Sequence, residues 1–73
     1  MQEEIMPVVN ITMTKEDGGA TKEQKEALIE GFTKVFVEVM GRGEKTMVVT
    51  INEIDTDSYG IGGKTVTTIR KSK

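Results

Sequence analysis

Hydrophobic and polar positions alternate at the start of the chain: Val9, Ile11 and Met13 fall on one side of an extended run, and Val8, Asn10 and Thr12 on the other. That period of two predicts a strand. Charged, glycine-rich Lys15-Glu16-Asp17-Gly18-Gly19 follows and reads as a turn. The period then lengthens to three and four: Leu28, Ile29, Phe32, Val35, Phe36, Val39 and Met40 share one helical face, opposite Lys25, Glu26, Glu30, Lys34 and Glu38. Thr21 and Gln24 have the spacing of a capping box, and Gly41, with Gly43 close behind, suits a helix end. The pattern therefore predicts a helix over about 22–40. Thr46 to Ile54 predicts a second strand, with Met47, Val49 and Ile51 against Val48, Thr50 and Ile54. Beyond Asp55-Thr56-Asp57-Ser58, the stretch Tyr59-Gly60-Ile61-Gly62-Gly63 reads as a glycine-rich turn and Thr65 to Ile69 as a short closing strand.

Strand, five-turn helix and strand make a parallel β-α-β unit, and the closing segments add a C-terminal β-hairpin, an α+β architecture. One helix covers one face of a sheet, so the other face calls for a second subunit. Length sharpens this point. A chain of 73 residues is a single small domain, which buries only about 60% of the surface its unfolded form exposes. It has no cysteine for disulfides and no histidine, which leaves self-association as the route to stability. The same absences remove thiol nucleophiles, serine–histidine pairs and nearly every zinc site, and no metal or cofactor is expected. Glu53, Asp55 and Asp57 read as a solvated acidic turn, and Gly-x-Gly-Gly with no helix after it is not a dinucleotide fingerprint. A net charge of −2 argues against nucleic acid as a partner. No apolar run approaches the roughly 20 residues that span a bilayer, so a cytoplasmic location is expected. The basic residues Lys64, Arg70, Lys71 and Lys73 read as a solubilising tail, and the five methionines as gap-fillers.

Pro7 opens the first strand, Thr21-Lys22-Glu23-Gln24-Lys25 opens the helix, and Tyr59 precedes Gly60-Ile61-Gly62-Gly63. In that order and spacing these motifs resemble the 4-oxalocrotonate tautomerase family over Pro7 to about Ile69, with residues 1–6 as an extension ahead of a domain at 7–73. The resemblance implies an enol–keto tautomerase acting on a small unsaturated 2-hydroxy or 2-oxo acid, with Pro7 as general base. It also implies dimers assembled into a hexamer. A lone proline at this place would read as a strand-initiating residue. Here Pro7 is acylated by Met6, and an amide nitrogen has no basic lone pair. Translation from Met6 and removal of that methionine before the small proline is the expected route to a free amine. The alternative is a non-catalytic oligomeric scaffold whose proline stays masked by residues 1–6.

The resemblance makes Tyr59 the pocket aromatic, with packing at a subunit boundary as its other reading. The two arginines that grip substrate carboxylates in the family fall on Ala20 and Val48 here. Their loss speaks against a dicarboxylate substrate, because arginine is the side chain suited to bidentate carboxylate binding. Arg42 and Lys45, with Lys64, are the cations left to meet a substrate anion, and a solvated surface role is the other reading of each.

Overall fold

The computed structural model describes residues 5–72. The first four residues of the extension, and Lys73 of the basic tail, lie outside the described residues. Strand β1 (Val8–Lys15) leads through a turn to helix α1 (Lys22–Met40) and strand β2 (Val48–Asp55). A single 3-10 turn (Thr56–Ser58) follows, then β3 (Gly60–Ile61), β4 (Lys64–Thr65) and helix α2 (Val66–Lys71). β1 and β2 pair in parallel, in register from Val8 opposite Val48 to Lys15 opposite Asp55. The expected β-α-β unit is present.

Helix α1 begins and ends as its sequence dictates. The Thr21 hydroxyl accepts from the Gln24 amide at 3.1 Å, and the Gln24 side chain accepts from the Thr21 amide at 2.9 Å, which satisfies two donors that a helix start leaves orphaned. At the other end Gly41 is left-handed, and its amide donates to the Val37 carbonyl.

The predicted core face of α1 is mostly uncovered. Leu28 and Phe36 are half-buried, as is Val37, which the apolar stripe did not include. Ile29, Phe32 and Met40 stay exposed, as do Val35 at 57% and Val39 at 76%. The cause is geometric. A helix about 10 Å wide over strands about 4.8 Å apart presses only a narrow line of side chains onto the sheet. Val9, Ile11 and Met13, with Val49 and Ile51, are half-buried, while Val8, Asn10 and Thr12, with Val48, Thr50 and Asn52, are exposed on the other face. Among the described hydrophobic residues only Val66, at 3% exposure, is fully buried. The outer stripe of the helix is apolar surface that calls for further cover, whereas the bare sheet face is mixed: Val8 and Val48 are exposed beside Asn10, which accepts from Thr50 and Asn52.

Two element boundaries differ from expectation. Thr46 and Met47 are not in β2, because both amides turn back to the Gly43 carbonyl, at 3.2 and 3.0 Å. The segment from Thr65 to Ile69 is not a strand beyond its first residue. β3 and β4 close over Gly62-Gly63, whose φ values of +61° and +88° suit a tight hairpin turn. The Thr65 hydroxyl then caps the Thr68 amide at 3.1 Å and starts α2. Arg70 is likewise no loose tail cation: its guanidinium grips Glu16, at the end of β1, at 3.0 and 2.7 Å. No helix among the described residues is long and apolar enough to cross a membrane.

Candidate functional site

Pro7 sits at the head of β1, where its carbonyl accepts from the Val48 amide at 2.9 Å and so ties the strand starts together. Beside its ring lies the loop that joins α1 to β2. Gly43 in that loop is buried, and a Cβ added there would stand 3.7 Å from Pro7 Cγ and 3.0 Å from Phe36 Cε1. A side chain at 43 would crowd Phe36, so the close approach of loop, helix and Pro7 needs glycine. The Thr46 hydroxyl completes the enclosure by donating to the Ile5 carbonyl at 2.6 Å. Pro7, Gly43, Phe36 and Thr46 thus form one notch at the mouth of the sheet.

Arg42 and Lys45 flank this notch on the same loop. Both are exposed, and among the described residues neither forms an ion pair. Tyr59 and Lys64 are at the far end. The parallel register puts the whole of β2, about 23 Å at 3.3 Å per residue, between the Pro7 notch and the hairpin that carries Tyr59. Within one chain the structure therefore sets the loop that carries Arg42 and Lys45 beside the proline and keeps Tyr59 at the other end of the sheet.

That far end is firmly built. The Tyr59 carbonyl accepts from the Val66 amide at 2.8 Å, and Thr67 bonds both Thr56, at 2.6 Å, and Asp57, at 2.5 Å. Arg70 secures α2 to Glu16, which also accepts from the Thr14 hydroxyl at 2.5 Å. The hydrogen bonds from Arg70 and then Thr14 lower the Glu16 carboxyl to about 2.

Glu53 departs from the reading as part of a solvated turn. It lies within β2 on the helix side, with a side chain only 12% exposed. It accepts from the Ala20 amide at 2.6 Å and pairs with Lys25 at 3.0 Å, so it anchors the entry to α1. These bonds, first the amide of Ala20 and then the ammonium of Lys25, lower its pKa. Ala20, where the resemblance expects an arginine, is thus a backbone donor, and Val48 is an exposed apolar side chain on the bare sheet face.

The sequence reading absorbed Thr46 into a strand, whereas it lies in the turn beside Pro7. The spacing of Gly43 and Thr46, three residues apart, was the available turn signal. Among the described residues no group of three or more acidic side chains is arranged to hold a metal ion. A concavity of about 520 Å³, lined by Glu30, Thr33, Lys34, Val37, Glu38 and Glu44, includes neither the proline nor Tyr59.

The fold is shared with solved tautomerase structures. The crystal structure of DmpI from Helicobacter pylori superposes with a TM-score of 0.81 at 40% identity, over 92% of this chain and all of that one. The sequence model described as Tautomerase enzyme matches residues 7–69. Probable tautomerase K2 of Dickeya dadantii is 48% identical over 66 residues, 90% of this chain and 96% of the relative. The 2-hydroxymuconate tautomerase of Bacillus subtilis is 39% identical over 59 residues, 81% and 92% of the respective lengths. The chain belongs to the 4-oxalocrotonate tautomerase family. Its class of activity is that of the family, tautomerisation, an isomerase reaction.

Proposed function

We propose that Pro7, as the first residue of the mature chain, is the general base of an enol–keto tautomerase acting on a small unsaturated 2-hydroxy or 2-oxo acid. The observation that carries this reading is the seating of the Pro7 ring against Gly43 and beside Thr46, at the open mouth of the sheet. A secondary amine there takes the proton from the enol oxygen. The C–O bond becomes a carbonyl, the double bond shifts, and the amine returns a proton to carbon, so the substrate is isomerised with no net gain or loss of atoms. Apolar surroundings such as Phe36 disfavour the ammonium form and keep the base available near neutral pH. No cofactor takes part.

Residues 1–6 form an extension in this reading, and translation from Met6 with loss of the methionine frees the amine. Arg42 and Lys45, on the loop beside the notch, meet the substrate carboxylate. With alanine and valine at the places of the two family arginines, the reading favours a monocarboxylate over 4-oxalocrotonate itself. The name of the Bacillus subtilis relative, a 2-hydroxymuconate tautomerase, supports a 2-hydroxy unsaturated acid as the substrate class. Tyr59 reaches a proline only from a neighbouring subunit, as in a hexamer built from dimers. One observation favours a second reading: with Met6 attached, the Ile5 carbonyl is docked on Thr46, as a masked, non-catalytic scaffold requires.

The test compares chains starting at Met1 and at Pro7, each verified by mass spectrometry, in ketonisation of phenylenolpyruvate and 2-hydroxymuconate. Activity confined to the chain starting at Pro7 is the expected result. Equal activity in both would remove the proline from the mechanism, and no activity in either, with assembly intact, would favour the scaffold.

A further inference from the structure

The Thr46 hydroxyl is the remaining functional group of the notch, and nothing in the proton transfer described above uses it. Its backbone is pinned: the Thr46 and Met47 amides both bond the Gly43 carbonyl, and the Val48 amide bonds the Pro7 carbonyl. The side chain therefore projects from a fixed frame. Its partner is the Ile5 carbonyl oxygen, 2.6 Å away in a partly buried contact. Ile5 belongs to the segment that is lost when Pro7 becomes the first residue. In that form the hydroxyl keeps its place and loses its acceptor. A single residue, Met6, separates Ile5 from Pro7, and consecutive Cα atoms are only about 3.8 Å apart. One small molecule can thus meet the amine and the hydroxyl together.

We propose, resting on the reading of Pro7 as the free base, that the Ile5 carbonyl oxygen marks the seat of the substrate's 2-oxygen and that Thr46 donates its hydrogen bond there. The hydroxyl then supports the negative charge that gathers on this oxygen as the proton leaves for Pro7. It is a single neutral donor, unlike the fork of a guanidinium, and so it fits one oxygen rather than a carboxylate. The carboxylate is left to Arg42 or Lys45, and a second carboxylate has no arginine at position 20 or 48 to receive it. Thr46 accordingly selects for the 2-oxygen, while the lack of arginine at 20 and 48 limits the substrate to one carboxylate.

The experiment uses the chain starting at Pro7 with two variants, Thr46→Val, which keeps the shape, and Thr46→Ser, which keeps the hydroxyl. Phenylenolpyruvate ketonisation is followed for kcat and KM, and phenylpyruvate binding is measured by NMR titration, with assembly checked by sedimentation. Thr46→Val is expected to lower kcat/KM about tenfold or more and to weaken phenylpyruvate binding, while Thr46→Ser stays within about threefold of the parent. Valine matching the parent in both measurements overturns the inference and leaves the proline base standing. Serine losing as much as valine also overturns it, because the hydroxyl alone is then not what matters. Binding that depends on Thr46 in a chain without turnover upholds the seat for the 2-oxygen and removes the proline-base reading.

Discussion

Arg70 reaches Glu16 with Nε and Nη2, and Thr14 adds a third hydrogen bond, so the Glu16 carboxyl stays ionised down to a pKa of about 2 instead of its ordinary 4.5. A carboxyl whose folded pKa lies below its unfolded one contributes stability above the unfolded value and loses it as pH falls through the folded one. The Glu16 contribution is therefore complete at neutral pH and fades between about 4.5 and about 2. Glu16→Gln is expected to lower the urea midpoint slightly at pH 7, since the pair is partly exposed, and the difference from the parent should shrink as pH falls through that window. A difference that is constant with pH would contradict the assignment. This pair was not legible in the sequence, because 54 residues separate its members and nothing local announces it. Glu53 was misread for the same reason: its acidic neighbours Asp55 and Asp57 suggest water, whereas its partners Ala20 and Lys25 come from the far side of the crossover. The expectation placed on Pro7 rests instead on the order of motifs along the chain.

Among the elements, α1 was read almost to the residue because every signal agreed: the capping box, the period near 3.6 and the glycine beyond Met40. Removing one of those signals has a defined cost. Thr21→Ala deletes the hydroxyl that accepts the Gln24 amide and is expected to cost about 1 kcal/mol, measurable by urea unfolding at fixed protein concentration. An unchanged midpoint would mean that tertiary contacts alone hold the helix start. Helix α2 was read as a strand because Val66-Thr67-Thr68-Ile69 is β-branched throughout, a composition that favours extended chain. Two contacts outside that composition reverse the preference: the Thr65 cap on Thr68, and Thr67 bonding back to Thr56 and Asp57. The first is a local cap that the β-branched run concealed, and the second spans ten or eleven residues, beyond the reach of periodicity. Strand β2 was read two residues too long at its start, where the Gly43 turn takes the amides of Thr46 and Met47.

For the molecule as a whole, the exposed stripe of Phe32, Val35 and Val39 and the bare sheet face bearing Val8 and Val48 leave a single copy under-buried. The reading that this surface is covered by other copies predicts that the chain sediments as an oligomer at micromolar concentration. Phe32→Asp would place a charge in a desolvated contact, which costs several kcal/mol, and is expected to shift sedimentation toward smaller species and to lower tautomerase activity together, because Tyr59 is too far from Pro7 to serve its own chain. A parent that sediments as a monomer with full activity would contradict this arrangement. That a single copy leaves apolar surface uncovered was legible from length and from the single helix. How α1 divides its apolar stripe between its own sheet and a neighbour was not, because both surfaces draw on the same residue types.

The role proposed for the Pro7 amine as the base is tested by titrating that amine and the reaction side by side. In the chain starting at Pro7, with proline labelled with nitrogen-15, the amine's titration is followed by NMR and compared with the rise of kcat/KM with pH. The two midpoints are expected to coincide, and a chain retaining Met6 is expected to show neither the titration nor the activity. A rate that rises at a pH unrelated to the amine's titration, or that persists with Met6 in place, would contradict it.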